Sequence, residues 1–162
     1  MTAKDNIRST LDSSEMILGA YLGGLSDADL FVRPVPGMNT IAWQLGHLIA
    51  AERHFVEILK PGSCPELPAG FAEAHSKETA ELDDPSRFGT LEQYQALAKA
   101  QREATKAVLN DFPEADFDKT SPDYPPFAPT PAALLSMCGL HGLMHSGQFV
   151  AVRRMLGKPV AI

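Results

Sequence analysis

The chain has 162 residues, of which 44% are hydrophobic and 21% charged, and its formal net charge is -6. Such a length and composition suit one globular domain, here 1–162, with a sizeable core. A negative surface with scattered basic residues repels phosphate backbones, so no direct nucleic-acid partner is expected.

Cys64 and Cys138 are far apart and belong to no paired motif, which fits a reducing cytoplasm better than a disulfide framework. The start "MTAKDNIRST" lacks the basic-then-apolar pattern of a signal peptide. No apolar run approaches the roughly 20 residues needed to span a bilayer, so no membrane role is expected.

Four segments carry helical periodicity. The first runs from Lys4 to Gly23, with Ile7, Leu11, Ser14, Leu18, Tyr21 and Leu22 on one face and Gly23-Gly24 as its stop. Asn39, after "RPVPG", reads as the N-cap of the second, which extends from Thr40 to Leu59 and ends at Pro61-Gly62. Ile41, Leu45, Leu48, Phe55 and Leu59 line its apolar face. A capping box at Thr90 and Gln93 opens the third, which continues to Asp111 before Pro113. The fourth starts with Thr130 as N-cap and Pro131 at the first helical position, and ends at Leu156 before Gly157 and Pro159.

No segment shows strand alternation, and no internal repeat is visible. The fold class predicted is all-α, a four-helix bundle. The connection from Lys60 to Gly89 is long enough to cross the length of a bundle, so helices two and three need not be antiparallel. A short extra helix is expected between Phe71 and Leu82. The Pro-rich linkers carry aromatic residues such as Tyr124 and Phe127 and are expected to pack over the ends of the core.

On the wheel of the last helix, Leu134, Cys138, His141, His145, Gln148, Val152 and Leu156 form one stripe, with the two histidines at its centre. Residues at i and i+4 are neighbours, so both imidazoles can converge on one metal ion. Without a metal, each would be a hydrogen-bonded core residue, and burying two uncompensated imidazoles costs free energy. A third ligand must come from another helix, and His47, His54 and His75 are the candidates. His47 flanks the apolar face of the second helix, and Gly46 beside it permits close approach of a neighbouring helix. His54 shares that side but lies about 10 Å further along the axis, in the charged run "AERHF", and reads as solvent-facing. His75, in "EAHSKE", reads as a surface residue.

The segment "PGMNTIAWQLGHL", together with "HGLMHSGQ" and "AVRRMLGKP" on the last helix, resembles the DinB family over nearly the whole chain. The resemblance implies a four-helix bundle of up-down-down-up topology, a homodimer, and a divalent metal, zinc or nickel, held by three histidines. By the motif these correspond to His47, His141 and His145. The connection 60–89 matches nothing in the family pattern and is a place for substrate specificity.

Three protein ligands leave a coordination position open, which is the mark of a catalytic zinc site. An ion held by neutral imidazoles lowers the pKa of a bound thiol or water. Two chemistries follow: a thiolate attacking an electrophile, or a hydroxide attacking an ester or amide. Family relatives use low-molecular-weight thiols in transferase and isomerase reactions, so the resemblance implies a small-molecule substrate and a thiol S-transferase-like activity. A non-catalytic, metal-stabilised regulatory bundle is the competing reading. Gln148 is a candidate for orienting a ligand or for a helix–helix hydrogen bond, and Glu52 is a candidate base or a salt-bridge residue. Cys138 is a candidate fourth ligand or a small apolar filler. No phosphate-binding loop, dinucleotide glycine fingerprint, nucleophile elbow or HExxH is present.

Overall fold

The computed structural model describes residues 1–82 and 84–160 of the chain. The described residues form an all-helical fold: α1 (Ala3–Leu22), α2 (Ile41–Leu59), the single turn α3 (Phe71–Ala74), α4 (Leu91–Asp111) and α5 (Pro131–Met155), with short 3-10 turns between them. No helix among these residues is long and apolar enough to cross a membrane.

Local chemistry sets the helix ends. Thr2 and Thr90 each complete a capping box, with Asp5 and Gln93 respectively. Thr130 accepts from the Ala133 N–H ahead of Pro131, and Gly157 closes α5 in the left-handed region at φ 66°. The start of α2 differs from the sequence reading. Thr40, not Asn39, is the cap, its hydroxyl accepting from the Trp43 N–H. The Asn39 carbonyl instead accepts from the Gln44 side chain. The extra helix expected within 71–82 is α3 followed by a 3-10 turn at Lys77–Thr79.

Packing divides the interior into two apolar clusters. One gathers Ile7, Leu11, Phe55, Val56, Leu109 and Leu134, and the other Tyr21, Leu30, Ile41, Leu45, Tyr94 and Phe149. Each such large side chain, fully buried, contributes about 1.5–3 kcal/mol. Along α2 the break falls between Ile49 and Phe55, where Glu52 sits. Along α4 it falls between Tyr94 and Val108, where Gln101, Arg102 and Thr105 are buried. A polar layer therefore crosses mid-length. In it, Arg102 donates to Glu52 (2.9 Å) and to the carbonyls of Leu11 and Cys138, and the Thr105 hydroxyl donates to Glu52 (2.6 Å).

The linkers cover the core as expected at Tyr124, Phe117, Phe71 and Phe88, which pack against the clusters. Phe127 is the exception, exposed beside Phe55. Arg153, buried near the end of α5, donates to the carbonyls of Tyr21 and Gly23 at 2.8 Å and so satisfies the C-terminal end of α1.

Two glycines allow α5 to lie close against α1. A Cβ at Gly139 would sit 2.9 Å from the Thr10 methyl and 3.1 Å from its backbone carbonyl oxygen, and one at Gly142 would sit 2.5 Å from the Ser14 hydroxyl. At Gly147, on the same helix, a Cβ would meet nothing within 4 Å. Opposite signs are expected: Gly139→Ala lowers stability by about 1–3 kcal/mol through overpacking against backbone. Gly147→Ala raises it by up to about 1 kcal/mol, since alanine restricts the unfolded chain. Urea midpoints of the two variants check this.

Candidate metal centre

His141 and His145 lie one turn apart on α5, and His47 faces them from α2. A ligand nitrogen on each lies within 4.8 Å of the other two. The rings splay around a common point rather than stack: His47 and His141 meet at 85°, and His141 and His145 at 69°. The Nε2 atoms of His141 and His145 are 3.1 Å apart. Two nitrogens on one tetrahedral zinc would be separated by about 3.4 Å, given Zn–N bonds of about 2.0–2.1 Å.

Gln44 selects the proton position on His145. Its Nε2 donates to the Asn39 carbonyl at 2.8 Å, which turns its Oε1 toward His145 Nδ1 at 2.7 Å. A carbonyl oxygen only accepts, so Nδ1 carries the proton and Nε2 keeps its lone pair toward His141. Gln44 is completely buried, so this bond is not shared with water. Burial lowers the pKa of both His141 and His145 to about 4, helped by the neighbouring imidazoles. His47 is lowered as well, by burial first and then by the nearby Lys77 ammonium. At neutral pH all three are uncharged bases, the state a metal requires. Their chemistry and geometry fit a divalent ion.

The other candidates fall elsewhere. His54 is exposed. His75 is not on the surface: it is 3% exposed, and its ring occupies the space that a side chain at Gly46 would fill. The close approach at Gly46 is therefore made by the connection 60–89, not by a helix. Gln148 is half-buried, and the glutamine that bonds a ligand imidazole is Gln44. Glu52 is paired with Arg102 and Thr105, and burial pushes its carboxyl up while those two partners pull it back. Cys138 belongs to an apolar cluster, its thiol donating to the Leu134 carbonyl. A cavity of about 220 Å³ between α1, α2 and α4 reaches Glu52, Arg102 and Cys138, but none of the three histidines lines it.

Sequence reasoning missed Gln44. A signal existed: it lies three residues before His47, one turn away, as a polar residue in the apolar run "TIAWQLGHLIA".

An all-helical fold with three convergent imidazoles on two long helices defines the class, and comparison supplies the family. Residues 10–149 match the model of the DinB superfamily. The chain belongs to that superfamily. It is also similar to a solved structure, the crystal structure of a conserved protein from Enterococcus faecalis, at 19% identity and a TM-score of 0.73. That likeness covers 98% of this chain and 99% of the other, and it concerns the fold. No curated protein matches the chain.

Proposed function

We propose that this protein binds one divalent ion, zinc or nickel, through His47, His141 and His145, and uses it to activate a low-molecular-weight thiol for transfer to a small-molecule electrophile. The observation that carries the reading is the convergence of three neutral imidazoles, one of them locked by Gln44. When bound, the ion supplies Lewis acidity that lowers the pKa of an S–H or O–H group placed against it.

The residues around the site favour a thiol over a hydrolytic reaction. Water attack on an ester or amide profits from a positioned general base. The nearest sequence candidate, Glu52, is engaged by Arg102 and Thr105 in the polar layer instead. The histidine group contains no carboxylate, and Lys77 is close enough to disfavour protonation of His47. A site with that field suits an anionic ligand such as a thiolate. The chain's own thiols do not supply it: Cys138 is buried and its pKa is raised by burial, and Cys64 is likewise raised. The sulfur must come from a co-substrate.

The helix order we adopt is a four-helix bundle, up-down-down-up. It is supported by Lys60 meeting Asp111 at the C-terminal ends of α2 and α4, and by Thr10 and Ser14 meeting Gly139 and Gly142 in the same order along α1 and α5. A homodimer through the outer face of α5 is part of the proposal, because Leu140 and Met144 stand exposed beside His141. Cytoplasmic placement accords with two free thiols.

The test is calorimetry of the zinc-loaded protein with bacillithiol or mycothiol. Micromolar-to-millimolar binding that needs the metal is expected. Metal uptake with no thiol binding, and loss of the helical signal on chelation, would instead mark a metal-pinned structural bundle.

A further inference from the structure

Between α2 and α4 the connection folds back over the N-terminal half of α2, on the side that carries His47. We propose that its segment Phe71–Thr79 is the positioning element for the third metal ligand. In it, His75 is seated between Gly46 and Tyr94, and the Ser76 carbonyl next to it holds the Trp43 indole that stacks on the His47 imidazole and so fixes the plane in which that ring faces His141 and His145. This rests on the three-histidine site proposed above.

On α2 alone, nothing beyond its own helix would hold the plane of the His47 ring. One contact from the segment does so. The Trp43 indole stacks on His47 at 4.7 Å and 9°, and its N–H donates to the Ser76 carbonyl at 2.9 Å. The stacking partner of the ring is thus tied to that short segment.

What holds the segment is equally specific. His75 Nδ1 donates to the Phe71 carbonyl at 2.7 Å, which leaves Nε2 to accept from the Tyr94 hydroxyl at 2.8 Å. The Tyr94 oxygen in turn accepts from the Gly89 N–H at 3.1 Å. His75 and Tyr94 are 3% and 1% exposed, so each of these bonds replaces one to water. The ring fits only because residue 46 lacks a side chain: a Cβ there would lie 2.1 Å from His75 Cδ2. A glycine inside a helix is less favourable than alanine, and here it makes room for the ring. Groups that orient metal ligands in this way typically change metal affinity by about 10–100-fold when removed.

Zinc titration against a chromophoric chelator, on wild type, Gly46→Ala, Tyr94→Phe and His141→Ala, tests the assignment, with helical content followed by circular dichroism. In parallel, proton NMR of the metal-free proteins reads the ring-current shift that the Trp43 indole imposes on the His47 ring protons. Wild type should take up one zinc and show His47 ring protons shifted by the stack, and His141→Ala should lose the zinc. Gly46→Ala and Tyr94→Phe should stay helical, bind zinc about 10–100-fold more weakly, and lose that shift. Two folded variants with wild-type affinity and an unchanged His47 shift would reduce the segment to packing and overturn the proposal while leaving the metal site intact. If Gly46→Ala fails to fold, Tyr94→Phe alone decides. No zinc uptake by wild type would overturn the metal reading and this one with it.

Discussion

A His145→Ala variant is expected to lose measurable divalent-metal binding and, independently, to be less stable without metal. The first effect follows from the donor set: with His145 gone, only His141 and His47 remain, on different helices. The second follows from Gln44. Its Oε1 accepts from His145 Nδ1 at 2.7 Å, and the residue is fully buried. Alanine leaves that oxygen without a partner and opens a small void beside it, and an orphaned buried acceptor costs about 1–3 kcal/mol. Chemical denaturation in the presence of chelator isolates this part. A Gln44→Leu/His145→Leu double variant should recover much of the stability, since removing both partners of a buried bond is far milder than removing one. It should recover none of the metal binding. Equal stability of wild type and His145→Ala in chelator would contradict the role assigned to Gln44.

Arg102→Met is expected to cost about 3–5 kcal/mol, more than any other substitution named above. The guanidinium neutralises Glu52 at 2.9 Å in a layer where both side chains are about nine-tenths buried. It also donates to the carbonyls of Leu11 and Cys138, tying α4 to α1 and α5. Without it the Glu52 carboxylate is left charged among apolar groups. Burial already pushes that carboxyl up with Arg102 present. Removing the cation raises it further, so the folded state holds the proton more tightly than the unfolded chain, whose carboxyl titrates near about 4.3. The deficit of the variant is therefore larger at neutral pH and shrinks as the pH falls toward that value. Adding Glu52→Leu should recover most of the loss at pH 7. Urea unfolding of the three proteins at pH 7 and pH 5 separates these terms, and a deficit that grows on acidification would refute the assignment.

The helices were legible because their signals are local. Thr90 with Gln93, Thr130 with Pro131, and the stripe through Ile7, Leu11 and Ser14 each lie within a few turns of chain, and each element lies within a residue or so of its expected place. The His141–His145 pair was legible for the same reason. Asn39 misled because two good caps stand side by side, and the hydroxyl of Thr40 reached the Trp43 N–H. His75 misled because "EAHSKE" is polar on every side, while its burial depends on Gly46 and Tyr94, residues 29 and 19 positions away. Arg102 was invisible for a related reason. A charged residue on an amphipathic helix reads as solvent-facing until the carboxylate opposite it, 50 positions distant, is known.

The Gln44–His145 bond joins positions 101 residues apart, and an ion between His47 and His141 would join a stretch of nearly the same length. Viewed from the unfolded chain, that ion is a cross-link closing most of the polypeptide into a loop. A disulfide of similar span gains stability by limiting the freedom of the unfolded state. Cys64 and Cys138 are free, so the chain has no covalent counterpart. A metal cross-link would differ in being reversible, and its strength would follow concentration: free ion at a hundred times Kd would add about 2.7 kcal/mol. The lifetime of the folded protein would then rise and fall with the free divalent-metal level around it, whatever reaction the site performs.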